Sequence, residues 1–213
     1  PPPPAPRVKI AVAQDAAFCF TYAENLALLS SLGCEIVPFS PIADASLPAG
    51  ISGLYLPGGY PELHAQALSR NEAMREDIRR SIARSLPTIA ECGGFLYLHE
   101  RLDGVPMAGV LPGSAYRTPK LQRFGYVTLT AKRDNLLCRA GQSIRAHEFH
   151  YWDSDSCGED FTACKASNAK SYDCIHASSS LWAGFPHLYF PANPGFAASF
   201  VKKAEAFSCH TGS

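Results

Sequence analysis

The first half of the chain alternates short apolar runs with turn signals. Val8-Lys9-Ile10-Ala11-Val12-Ala13 predicts a buried first strand. Tyr22 to Leu32 follows, with Tyr22, Ala23, Leu26, Leu29 and Leu32 at helical spacing, and Gly33 stands where such a helix stops. Cys34 to Phe39 predicts a second strand, and Gly53-Leu54-Tyr55-Leu56 a third that ends abruptly in Pro57-Gly58-Gly59-Tyr60-Pro61. Glu62 to Arg84 predicts one or two helices broken near Asn71. The run from Thr88 to Cys92 is β-prone and meets Gly93-Gly94, after which Phe95 to His99 resume a helical pattern. Strands and helices in this order predict an α/β fold with a largely parallel sheet covered on both faces and a site at the carboxyl ends of its strands.

After Gly104 the pattern changes. Met107 to Val110, Tyr126 to Thr130, Ile144 to Tyr151 and Phe161 to Ala166 predict additional short strands separated by loops. Leu181 to Phe190 is a last extended stretch. Asn193-Pro194 then opens a final helix, Asn193 as N-cap and Pro194 in the first turn, with Phe196, Phe200, Val201, Ala204 and Phe207 as its apolar stripe. Pro1 to Pro6 is nearly all proline, a stiff extended segment. The expected organisation is a Pro-rich linker over residues 1–7, one domain over 8–207 and a tail over 208–213.

Composition narrows the class of protein. A chain of 213 residues with 46% hydrophobic side chains buries one good core. Its 19 basic and 19 acidic side chains cancel, which argues against a nucleic-acid or acidic-membrane partner. No apolar run reaches transmembrane length, and the N-terminal stretch lacks the features of a signal peptide. The eight cysteines show neither C-x-x-C nor zinc-ligand spacing, so reduced thiols and a cytoplasmic location are expected.

Candidate chemistry concentrates at Ala90-Glu91-Cys92-Gly93-Gly94. A thiol on a tight strand-to-helix turn resembles a nucleophile elbow, and a helix N-terminus favours its thiolate form. The expected nucleophile is Cys92. The glycines of the Pro57–Pro61 turn leave N–H groups free, and with the N–H of Gly93 they can hold an oxyanion. His187, near the end of the last extended stretch, can reach the same rim and serve as base. In Arg145-Ala146-His147-Glu148-Phe149-His150-Tyr151, a strand places Glu148 and His150 on one face and His147 on the other. That spacing is not H-E-x-x-H, so no metal site is expected; it reads as polar support. The chain contains no G-x-x-x-x-G-K-[ST] loop for ATP.

Several longer strings resemble one family. Phe18-Cys19-Phe20, Tyr22 with Glu24-Asn25-Leu26, Leu54 to His64, Ala90 to Gly94, Leu121-Gln122-Arg123-Phe124-Gly125-Tyr126 and His147 to Tyr151 are similar to the C-terminal glutamine amidotransferase domain of the cobyrinic acid a,c-diamide synthases, from about Val8 to about Phe207. The resemblance implies a flavodoxin-like, triad-type amidotransferase fold. It implies a glutaminase in which Cys92 attacks the glutamine carboxamide, Gly59 and Gly93 hold the oxyanion, His187 is the partner base and water hydrolyses the thioester. In that family the ammonia passes to an N-terminal P-loop synthetase domain, which uses ATP and magnesium to amidate the a and c carboxylates of a corrinoid. Neither cofactor is expected in this chain.

The sequence also departs from related triad enzymes, which carry His-x-Glu. Here Leu188 and Tyr189 follow His187, so Glu148 is the candidate orienting acid. Ser178 to Pro186 likewise departs from the expected Gly-Asn-x-x-Ala-Ser-Tyr-type segment. Three alternatives stay open: a non-catalytic docking module of the same fold, an amidotransferase domain for another tetrapyrrole such as nickel sirohydrochlorin, and an unrelated cysteine hydrolase.

Overall fold

In the computed structural model, which describes residues 7–167 and 170–211, the first half of the chain follows its apolar pattern. Its elements are β1 (Val8–Ala13), α1 (Ala23–Ser31), β2 (Cys34–Phe39), β3 (Gly53–Leu56), α2 (Ala65–Arg70), α3 (Glu72–Ala83), β4 (Thr88–Glu91) and α4 (Gly93–Leu98). All residues of β3 and β4 are buried, as expected for parallel strands covered on both faces. The break near Asn71 is a helix cap, whose side-chain oxygen accepts the Met74 N–H at 3.3 Å. Pro1–Pro6 of the expected linker lie outside the described residues. Arg7, assigned to that linker, is already tied to the domain: its N–H donates to Gly33 O at 2.8 Å and its guanidinium pairs with Glu205.

The second half adds β5 (His99–Leu102), β6 (Val105–Pro106), β7 (Leu111–Arg117), β8 (Arg123–Ala131), β9 (Ser143–His150), β10 (Trp152–Ser154), β11 (Phe161–Lys165), β12 (Ser171–Cys174), β13 (His176–Ala177), β14 (Leu181–Gly184), β15 (His187–Leu188) and α5 (Pro194–Thr211). A six-stranded sheet runs β13-β14-β4-β3-β1-β2. Its strands pair in parallel except for β13 at the edge. The order 2-1-3-4, with β14 in fifth place, is flavodoxin-like. Two smaller sheets run β10-β7-β5-β6 and β12-β11-β8-β9-β15.

Alternation along β1 feeds two apolar clusters. Val8, Ile10 and Val12 join Leu29 of α1 and Phe196, Phe200, Val201 and Ala204 of α5. Ala11 and Ala13 join Leu68, Met74 and Ile78 of α2 and α3 and Phe95 to Leu98 of α4. Gly53 opens β3 where Ile10 of β1 and Phe200 of α5 crowd it: a Cβ there would be 2.7 Å from Ile10 Cδ1 and 3.0 Å from Phe200 Cζ. Truncating a ring buried like that of Phe200 typically costs about 3–5 kcal/mol.

The structure corrects three expectations. Met107 to Val110 is a connector, buried at Met107 and Ala108, and its N–H groups donate to Glu100, Tyr97, His99 and Leu98 carbonyls. Those bonds satisfy the Tyr97 and Leu98 carbonyls, which no further helical turn of α4 would meet, and two carbonyls of β5. The Leu181–Phe190 stretch is two strands in two sheets: β14 pairs with β4, and β15 with β9. Phe185-Pro186 carries the chain between them, since proline cannot extend a ladder. Finally, α5 continues through Thr211, so Ser208 to Thr211 of the expected tail are helical; neither Pro nor Gly interrupts the chain there. No helix among the described residues is long and apolar enough to cross a membrane.

Candidate active site

β3 and β4 are adjacent and parallel, Leu56 beside Ala90, so the turns after them leave the same edge of the sheet. Cys92 occupies the second turn at φ 43° and ψ −101°, a conformation L-residues avoid. Such strain costs on the order of 1–3 kcal/mol and persists only where the surroundings enforce it. Here Cys92 N–H donates to Gly184 O and Gly94 N–H to Pro57 O, each at 2.9 Å. α4 starts so close to β3 that a Cβ on Gly94 would lie 2.1 Å from Leu56 O. This is the geometry of a nucleophile elbow.

The first turn reaches the elbow directly. A Cβ on Gly93 would be 3.0 Å from Gly59 N and 3.3 Å from the Gly58 carbonyl carbon. Gly59 takes φ 153°, and the segment after β1 clamps it: Tyr60 N–H donates to Ala17 O at 2.9 Å and Phe20 N–H to Gly58 O at 3.1 Å. His187 covers the same turn, because a Cβ on Gly58 would lie 2.4 Å from its Cε1. The Phe20 ring holds the imidazole edge-on at 4.9 Å. His187, the Gly58-Gly59 turn and the Gly93 turn are therefore contiguous, although β15 belongs to another sheet. The cavity beside Cys92 is about 220 Å³ and is lined by Gly59, Tyr60, Glu62, Leu96, Arg117 and His150 among others.

Electrostatics correct the thiolate expectation. Burial pushes the Cys92 thiol up to about 12, and the Glu62 and Glu91 carboxyls act in the same direction. The hydrogen bond from Gly93 N–H opposes this, but α4 is only six residues long and its terminus does not outweigh desolvation. Burial likewise lowers His187 to about 4, with His147 and His150 adding to the effect and Glu148 opposing it. The resting pair is a neutral thiol and a neutral imidazole.

Glu148 and His150 face inward from β9 while His147 is half-buried on the other face, as the alternation predicts. Glu148 accepts a hydrogen bond from the Tyr172 hydroxyl and lies 3.9 Å from His150 Nε2. The acid whose oxygen comes nearest His187 is a different one. Glu91 Oε2 is 4.0 Å from His187 Nδ1, and the Glu91 side chain is buried. Its Oε1 accepts Leu188 N–H and its Oε2 accepts Tyr55 O–H, both at 2.9 Å. Burial pushes this carboxyl up to about 8 against those two bonds. Sequence reasoning passed over Glu91, though one signal was present: an acid closing the otherwise uncharged Thr88-Ile89-Ala90 strand must find partners to be buried there.

Comparison with known proteins bears on this site. The chain is 37% identical over 189 residues to a cobyrinate a,c-diamide synthase from Caldanaerobacter subterraneus, covering 85% of this chain and 42% of that protein. It is 40% identical over 205 residues to one from Methanothermobacter thermautotrophicus, covering 94% of this chain and 45% of that protein. The chain thus spans about half the length of the curated relatives it matches. A crystal structure described as a glutamine amidotransferase superimposes with a TM-score of 0.65 at 18% identity, covering 92% of this chain and 98% of that one. PurLQS from Thermotoga maritima does so at 0.62 and 16%, covering 97% and 99%. At such identities these structures bear on the fold alone. Residues 9–195 match the CobB/CobQ-like glutamine amidotransferase domain, and with the elbow, the glycine turn and the sheet order in place the chain belongs to that family of glutamine amidotransferases.

Proposed function

We propose that this domain hydrolyses glutamine through a Cys92 thioester and supplies the ammonia for amidation of the a and c carboxylates of cobyrinic acid. The observation that carries the reading is the strained Cys92 turn packed against Gly59 N, with His187 over Gly58. The Sγ attacks the carboxamide carbon while its proton moves to His187. The N–H groups of Gly59 and Gly93 hold the oxyanion. Collapse expels the amine, which takes the proton from the imidazolium and leaves as ammonia. Water then cleaves the thioester, releasing glutamate and restoring the thiol.

The names of the relatives favour cobyrinate over another macrocycle. Amidation then belongs to an ATP- and magnesium-dependent synthetase part, which reaches the corrinoid; this domain itself takes only glutamine. The described cysteines are all free thiols, in keeping with a cytoplasmic setting. Backbone strain at Cys92 has no use in a domain that only docks, which favours the enzyme over that alternative.

With the synthetase part supplied, a diazo-ketone analogue of glutamine is expected to label Cys92 stoichiometrically. Cys92→Ser should lose all ammonia release. Absence of labelling on Cys92 sinks the reading.

A further inference from the structure

We infer that Glu91 is a positioning residue for His187, receiving its Nδ1–H when the imidazole takes the thiol proton. This rests on the glutaminase reading above and deepens it. Glu91 ends β4, one residue before the thiol, with 1% of its surface exposed. Each oxygen has a defined donor: Leu188 N–H on Oε1 and Tyr55 O–H on Oε2, both at 2.9 Å. Leu188 directly follows the base, so Glu91 grips the strand that carries His187.

A second clip sets the polarity of this network. Asn25 Nδ2 donates to Leu188 O at 2.8 Å and to Tyr55 Oη at 3.4 Å, and Asn25 Oδ1 accepts Phe190 N–H at 2.8 Å. Because Asn25 donates to the Tyr55 oxygen, the Tyr55 hydrogen points at Glu91. The ionised carboxyl is thereby held as an acceptor, and Oε2 is the oxygen 4.0 Å from His187 Nδ1. That gap is longer than a hydrogen bond, and a shift of roughly 1 Å closes it once Nδ1 carries a charge-assisted N–H. With Nδ1 committed to Glu91, Nε2 is left to exchange the proton with sulfur and then with the leaving amine. No net proton is gained or lost by Glu91 in that cycle.

The competing acid is engaged elsewhere. Glu148 accepts from the Tyr172 hydroxyl, and its other oxygen lies 3.9 Å from His150 Nε2. The titratable groups around the pair are Tyr22, Tyr55 and Cys92 near Glu91, and His147, His150 and Glu148 near His187. Burial pushes the Glu91 carboxyl up to about 8, so most of it is protonated at neutral pH and its ionisation on going alkaline should appear in the rate.

The test measures ammonia release from glutamine against pH, with the synthetase part present, for the wild type, Glu91→Gln, Glu91→Asp and Glu148→Gln. Glutamine at this position keeps an acceptor for Leu188 N–H, and it loses the charge together with the Oε2 acceptor of Tyr55 O–H. The expected result is a fall in kcat of at least about 10-fold in Glu91→Gln with KM nearly unchanged. The alkaline-going rise of the wild-type profile should vanish, and Glu91→Asp should recover part of it. An unchanged profile in Glu91→Gln overturns the inference. So does a uniform loss that keeps the profile's shape, which marks Glu91 as a clip alone, and so does a profile moved by Glu148→Gln and not by Glu91→Gln. A wild type that releases no ammonia and resists the diazo-ketone removes the glutaminase reading itself, and this inference with it.

Discussion

The imidazole of His187 rests on the α-carbon of Gly58, so close that a Cβ there would stand 2.4 Å from Cε1. The contact joins the turn after β3 to a strand of a different sheet. It explains why the first glycine of the Gly58-Gly59 pair tolerates no side chain, although its φ is not positive.

Gly58→Ala should therefore displace the base and spare the fold. The methyl group pushes on the His187 ring that packs over the turn, and overpacking of this kind costs about 1–3 kcal/mol. Ammonia release is expected to fall at least about 100-fold, the scale of a misplaced general base. The thermal midpoint should drop only by several degrees. Retained turnover in a folded Gly58→Ala protein would show that His187 does not act from its observed position.

Folding stability should carry the signature of Glu91. Its folded-state value is about 8 against an ordinary 4.5. Between those values the unfolded chain has released this proton and the folded chain keeps it, so stability falls as pH rises through that window. The full difference corresponds to roughly 5 kcal/mol as an upper bound. His187 has the opposite sign: lowered from 6.5 to about 4, it makes stability fall as pH drops through that range. Comparing Glu91→Gln with wild type cancels the His187 contribution. Denaturant titrations at pH 4.5, 6.5 and 8 should show the variant gaining on the wild type as pH rises. Parallel stabilities across the three values would contradict the buried acid.

Thiol reactivity offers a third check. The Cys92 thiol is pushed up to about 12 and is half-buried, whereas Cys19, Cys164 and Cys209 are exposed. At pH 7 iodoacetamide should modify those three well before Cys92, because the thiolate is the reacting form. Modification of Cys92 should accelerate with every unit of pH increase toward 12. Peptide mass spectrometry resolves the sites, and Cys92 reacting first at pH 7 would mean a thiolate already present at rest.

Much of the fold was legible because its signals are local. Glycine after a helix, proline in a turn and period-two or period-3.6 apolar spacing report on a few neighbouring residues. β1, β2 and β3 accordingly match the expected bounds. Asn193 caps α5 as expected, accepting Gly195 N–H at 3.2 Å. The Cys92 turn was readable for the same reason, since its two glycines adjoin it in sequence. Met107 to Val110 was misread because its β-like pattern serves carbonyls of α4 and β5 and not a partner strand.

The residues themselves determined the parallel sheet, the elbow at Cys92 and the glycine turn facing it, since each depends on backbone preferences a few residues wide. Tertiary structure alone decided the rest. The pairing of His187 with His147, the division of Leu181–Phe190 between two sheets and the reach of Glu91 to Leu188, 97 residues away, are contacts that no local pattern encodes. The charge of the site belongs with these. A helix N-terminus argues for a thiolate, but the surrounding burial keeps Cys92 protonated, and desolvation is a property of the whole packed molecule.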